Sequence, residues 1–254
     1  MAVVIHPLVF AGVFMILLGI TLSEFYRIVA LAGYQPQRWF GLFSGMILFI
    51  LTFLYLYLPV NHFIPIWILP VIFTLLLIQL FKKTNHPIAD AAVTLLGLFY
   101  VALPITLTAG LVYPPATSTF SPQIILFLYM VIWINDTGAY LIGSLAGRHP
   151  LWKRISPAKT VEGVVAGVLL AYLAAFLTRS LFPELTFQMR LILTGVIILF
   201  GTLGDLLESM FKRRVQVKDS GKLIPGHGGL LDRLDSLLLA VPAVYFTLLI
   251  QQWL

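Results

Sequence analysis

The chain has 254 residues, 60% of them hydrophobic and only 10% charged, with a net charge of +6 and a mean hydropathy of +0.99. That much apolar surface excludes a water-soluble globular domain and places the chain in a membrane. The sequence has no cysteine, which excludes disulfides, thiolate nucleophiles and cysteine-bound zinc or iron–sulfur clusters, so any metal must sit on oxygen or imidazole.

A bilayer core about 30 Å thick is crossed by roughly 20 apolar residues in a helix. Eight runs satisfy this in chain order, at about 3–22, 40–59, 63–81, 88–112, 123–143, 161–181, 190–207 and 231–252. They are much longer than the roughly 10-residue alternating strands of a membrane β-barrel. The expected fold is therefore all-α, a polytopic bundle of about eight transmembrane helices with no soluble domain. About four spans fall in residues 1–122 and the polar motifs in 123–254, within one structural unit. No basic residue precedes the first run and no small-residue cleavage site lies within it, so it reads as a retained helix.

Lysine and arginine alternate between loops. Arg27 and Arg38 follow the first span, Lys82 and Lys83 the third, Arg148, Lys153, Arg154 and Lys159 the fifth, and Lys212, Arg213, Arg214, Lys218 and Lys222 the seventh. The even loops hold Arg179 and Arg190 alone. The positive-inside rule then puts the odd loops in the cytoplasm and both termini outside, an arrangement that one further helix before residue 1 would suit. The Lys82–Lys83 doublet is explained by topology. The cytoplasmic excess of positive charge would attract lipid headgroups or nucleotides.

Seven of the ten acidic residues, Asp136, Glu162, Asp205, Glu208, Asp219, Asp232 and Asp235, fall at the cytoplasmic ends of spans five to eight or in the loops between them. Asp205 with Glu208, and Asp232 with Asp235, are spaced i, i+3 on one helix face. Carboxylates at membrane depth cost several kcal/mol unless partnered. Their partners are either nearby bases, such as Lys212 or Arg213 for Asp205 and Arg233 for Asp232, or a divalent cation. Oxygen ligands of this kind suit Mg²⁺.

The segment KRRVQVKDSGKLIPGHGGLLDRLDS, Lys212 to Ser236, concentrates six basic and three acidic residues. Its Pro225-Gly226-His227-Gly228-Gly229 turn precedes the last span, where exposed backbone N–H groups and a helix N-terminus can cradle phosphate beside Asp232. His227 either donates to phosphate or holds the turn. The P-loop pattern GxxxxGK[ST] is absent from the sequence.

The pattern Ser209-x-x-Lys212-Arg213, Lys218-Asp219, Pro225-x-His227-Gly228-Gly229-x-x-Asp232-Arg233-x-Asp235, spanning 209–235, resembles the signature of phosphatidate cytidylyltransferases, also called CDP-diacylglycerol synthases. GDLLES (204–209), NDTGAY (135–140) and ISPAKTVEG (155–163) are similar to the same family, so the motifs cover roughly 130–240. The chain departs from it at Ala158, where the family commonly has a second lysine, and at Ser144, where it often has arginine.

The resemblance implies that CTP and phosphatidic acid are converted to CDP-diacylglycerol and pyrophosphate. Asp205 and Asp232 would carry Mg²⁺, a second cation being compatible, with Asp136, Glu208 and Asp235 completing or orienting the shell. Lys212, Arg213 and Lys218 would meet phosphates with Asp219 beside them, and His227, Gly228 and Gly229 would hold a phosphate group. Lys159, Thr160, Ser209 and Arg233 would contribute to substrate binding. The expected partners are the two substrates and membrane lipids, without nucleic acid, and a homodimer is an open expectation. The expected location is the bacterial inner membrane, with the site facing the cytoplasm. Two rivals share part of these demands: a CTP-dependent lipid or polyprenol kinase, and an ion-coupled transporter.

Overall fold

The computed structural model describes residues 6–58, 68–114, 119–152, 156–221 and 228–253. Among them are eight helical rods: α1 (Pro7–Leu31), α2 (Arg38–Tyr57), α3 (Ile68–Phe81), α4 (Pro87–Val112), α5 (Gln123–Ala146), α6 (Val161–Leu177), α7 (Phe187–Arg214) and α8 (Leu231–Trp253). Six are long and apolar enough to cross a membrane, while α3 and α6 are shorter apolar helices. The chain is an all-α polytopic membrane protein.

Two helices run further than hydropathy indicates. α1 continues to Leu31 and so carries Glu24 and Arg27 within the helix, and α7 continues to Arg214 with Asp205, Glu208, Ser209, Lys212 and Arg213 on one rod. Polar residues end an apolar run without ending the backbone hydrogen bonding, which is why the hydropathy limits fall short. The loop after α5 also holds a small antiparallel hairpin, β1 (Pro150–Trp152) with β2 (Ser156–Thr160), pairing Pro150 with Thr160 and Trp152 with Ser156.

The chain divides into two compact units whose boundaries fall inside α7 and α8. The first comprises residues 1–120 and 211–234. Tyr26, fully buried, is its pivot: the ring lies against Gly41 of α2 and Gly97 of α4, and the hydroxyl donates to the Thr94 carbonyl at 2.9 Å. A side chain at either glycine would occupy the ring's place. Just beyond, α4 widens into a π turn over Leu98–Ala102, with the Leu103 N–H reaching the Leu98 carbonyl. Pro104 explains it, because it has no N–H to continue the ladder. Phe25, Tyr100 and Phe211 pack ring on ring beside it. Two of the basic loops meet in this unit: Asp90 accepts from the Gln35 N–H at 2.7 Å and the Thr84 hydroxyl at 2.5 Å, and Lys82 donates to the Gln35 carbonyl at 2.8 Å.

The second unit comprises residues 121–210 and 235–254. Its α6 buries Gly163, Gly167, Ala171 and Ala175, a small residue at every fourth position. This stripe lets α5 approach so closely that a Cβ at Gly167 would meet the Asn135 carbonyl and side chain, and one at Gly163 the Ala139 carbonyl. Lipid supplies no hydrophobic drive between helices, so such backbone contact is how membrane helices associate. α7 and α8 use the same device, with Gly204 against the Asp235 carbonyl and Gly201 near Ser236.

Candidate functional site

In the first unit the site is built around Asp232, in the first turn of α8 where the helix dipole favours an anion. Its Oδ2 accepts from the Gly229 N–H at 2.7 Å, the Ser220 N–H at 2.9 Å and the Ser220 hydroxyl at 2.9 Å. Its Oδ1 accepts from the Lys212 ammonium at 2.7 Å. The pair is well screened from water, with side-chain exposures of 11% for Asp232 and 15% for Lys212. Gly228 adopts φ of +82°, a left-handed conformation that suits glycine, and a Cβ there would press on the Asp232 carboxylate.

Behind Asp232 lies a second carboxylate. Glu24 of α1 is 9% exposed, accepts from the Leu231 N–H at 2.8 Å, and stands 3.3 Å from the Ser220 hydroxyl. Gly221 and Gly229 close upon it, and a side chain at either would run into its carboxylate. Arg213, Lys218 and Asp219 are exposed beside this cradle. Lys222, Pro225 and His227 lie outside the described residues.

In the second unit the centre is Lys159, at the end of β2. Its ammonium pairs with Asp205 and feels the negative charge of Asp136 and Asp235. The three acids are drawn from α5, α7 and α8, and the glycine contact at Gly204 sets α7 against α8 beside Asp205. Burial pushes the Lys159 ammonium below its ordinary value, and the attraction of Asp136 and Asp235 offsets part of that shift. The Ser209 hydroxyl lies 3.5 Å from Asp205 Oδ1, and Asn135 donates to Asp136 Oδ1 at 3.2 Å. Thr160 caps α6, its hydroxyl accepting from the Gly163 N–H at 3.2 Å. Glu208 of this unit is fully buried, and Arg233, which belongs to the first unit, is exposed.

The sequence left open which bases partner the acids. Asp205 takes its ion pair from Lys159, 46 positions earlier, and Asp232 takes one from Lys212, 20 positions earlier. These donors suit a hard cation, being carboxylate and hydroxyl oxygens. Within each unit, among the described residues, no three His, Asp or Glu side chains converge on one point. A Mg²⁺ ion held here would therefore take one or two carboxylates and draw its remaining ligands from substrate phosphate and water, its usual habit.

The model of the Cytidylyltransferase family matches residues 1–251. The chain belongs to that family. Relatives of this cytidylyltransferase-family chain include proteins named phosphatidate cytidylyltransferase from Staphylococcus saprophyticus and Staphylococcus epidermidis, each 40% identical over 179 residues, and from Staphylococcus aureus, 37% identical over 179 residues. In each case the match covers 70% of this chain and 66% of the relative, just under two thirds of its length. Family membership extends the comparison beyond the motif-bearing region to the N-terminal helices, where Glu24 and Tyr26 lie. Sequence reasoning gave Glu24 and Ser220 no role. An acid near the end of an apolar run was the available signal for the first, and a serine between an aspartate and a glycine gave none for the second.

Proposed function

We propose that this chain transfers the cytidylyl group of CTP to phosphatidic acid, giving CDP-diacylglycerol and pyrophosphate, at the cytoplasmic face of a bacterial inner membrane. The observation that carries the reading is that the family match spans the chain while its signature carboxylates, Asp205 and Asp232, are each held by a lysine. In this reaction a phosphate oxygen of the lipid forms a bond to the α-phosphorus of CTP, and the bond from that phosphorus to the bridging oxygen breaks as pyrophosphate leaves. The nucleophile is already anionic, so no strong base is needed. The work of the protein is to position two anions and offset their repulsion.

Asp232 in the first unit and Asp205 in the second are each a carboxylate that would hold Mg²⁺, with Asp136 and Asp235 orienting Asp205 through Lys159. Bound there, the ion would supply Lewis-acid neutralisation of phosphate charge. Lys159 and Lys212 keep ammonium groups beside these carboxylates, available to triphosphate oxygens. Arg213 and Lys218, exposed on the same segment, add charge for incoming phosphate. Gly228, half-buried at the N-terminus of α8, offers close backbone approach, while Gly229 spends its N–H on Asp232.

The test is to incubate the purified protein in detergent with phosphatidic acid, CTP and Mg²⁺, with and without EDTA, and to quantify pyrophosphate, CDP and CDP-diacylglycerol. Equal pyrophosphate and CDP-diacylglycerol, both lost on chelation, is the expected result. Release of CDP with a phosphorylated lipid would replace this reading with that of a kinase.

A further inference from the structure

Glu24 is a carboxylate in the last third of α1, just past its apolar run and far in sequence from every signature residue. Burying it costs several kcal/mol unless donors satisfy it. Both donors come from the signature segment: the Leu231 N–H at the start of α8 and the Ser220 hydroxyl. Ser220, 3% exposed, in turn gives its N–H to Asp232 and stands 2.9 Å from Asp232 Oδ2 through its hydroxyl. A hydroxyl has one hydrogen, and here it faces two carboxylates, so the one it serves is decided by what Glu24 offers. Glycines at 221 and 229 leave room for Glu24 and for nothing larger on the segment's side.

We propose that Glu24 is a positioning residue for the transfer reaction: by holding Leu231 and Ser220 it fixes the orientation and hydrogen-bond load of the Asp232 carboxylate. The role rests on the proposed function of Asp232. A spacer or a simple helix cap would need neither a charge nor Ser220. Both contacts fall on one oxygen, Oε2, so glutamine, nearly the same shape, can place its carbonyl oxygen there and accept from Leu231, but as a neutral acceptor it competes less well for the Ser220 hydrogen, which shifts toward the charged Asp232. E24Q therefore changes the donors around Asp232 without emptying the site.

The experiment compares wild type, E24Q, E24D, S220A and E24Q/S220A in thermal unfolding, in kcat and KM for both substrates, in the Mg²⁺ concentration for half-maximal rate, and in hydrogen–deuterium exchange over 216–234. For E24Q we expect a folded protein and KM values within about threefold of wild type. Its kcat should fall by about 10- to 100-fold, the range found when groups orienting a metal-binding side chain are lost. The Mg²⁺ midpoint should rise, exchange at Ser220 and Gly229 should be faster, and E24D should recover part of the rate. E24Q and S220A should be non-additive because they act through one hydroxyl. An E24Q protein with wild-type kcat, Mg²⁺ midpoint and exchange overturns the inference, as does one that fails to fold, which would make Glu24 purely structural. If wild type itself makes no CDP-diacylglycerol, the reading of the reaction has failed instead, and unchanged exchange in E24Q would then overturn the positioning role by itself.

Discussion

The Lys212 ammonium donates to one oxygen of Asp232 at 2.7 Å while the Gly229 and Ser220 N–H groups hold the other. The lysine thus neutralises a carboxylate that the backbone has already oriented. Removing the two charges should have different effects. D232N keeps the shape and can still accept from Ser220 and Gly229, so it should fold, while its turnover should fall on the order of 100-fold or more, as when one charge-stabilising group is lost from an active site. K212M leaves the carboxylate with its backbone donors, and should lower the rate while raising KM for CTP. Steady-state kinetics alongside thermal unfolding checks both, and full turnover in D232N would remove Asp232 from the reaction.

Lys159 predicts a pH dependence. Burial lowers its pKa below the ordinary 10.5, with Asp136 and Asp235 offsetting part of the shift, so the ammonium is lost at a lower pH than that of a free lysine. Between the lowered folded value and 10.5 the unfolded chain binds more protons than the folded one, and the contribution of this group to stability rises with pH across that window. Activity should move the opposite way, falling as the ammonium discharges. In K159R the guanidinium stays charged, so the alkaline limb of the rate profile should shift upward even if the overall rate is lower. A limb in the same place in K159R would assign it to another group.

Much of the fold was legible because hydropathy reports what a bilayer demands of a helix: all eight runs correspond to rods, and α5 begins at residue 123 as expected. The ends were less legible. Asp205 and Glu208 were expected on one helix face, but nothing in the hydropathy of Lys212 and its neighbours says that the helix continues to Arg214. The acids at the ends of the spans could be picked out by type, yet their partners could not. Lys159 and Lys212 are separated from Asp205 and Asp232 by the turns of the chain, and which lysine meets which acid is decided by tertiary packing. The glycines of GDLLES and TVEG illustrate the same limit. Their closeness to Asp235 and Ala139 is a fact about neighbouring helices, invisible in a single string of residues.

The glycine stripe of α6 gives a test of packing apart from chemistry. A leucine at Gly167 would meet the Asn135 carbonyl and the Ala139 side chain with no room to turn aside. Overpacking of this kind costs about 1–3 kcal/mol. G167L should therefore lower the thermal midpoint in detergent, whereas a leucine at the open position Gly12 should not. Comparable midpoints for the two variants would show that α5 and α6 are not held by this contact.

Asp205 follows Gly204, and the order matters. The glycine sets the backbone of α7 against the Asp235 carbonyl, while Asp205 pairs with Lys159. If Asp205 holds Mg²⁺ in turnover, Lys159 must share or yield it, so the two cations compete for one carboxylate. D205N should then fold normally but lose turnover at every Mg²⁺ concentration, and D205E should keep a fraction of the rate with a displaced Mg²⁺ midpoint. K159M should lower the midpoint, since the competing ammonium is gone, even as kcat falls. Rate measurements across a Mg²⁺ series on the three variants decide the matter: a K159M midpoint equal to or above that of wild type would mean that Lys159 supports the ion and does not compete with it.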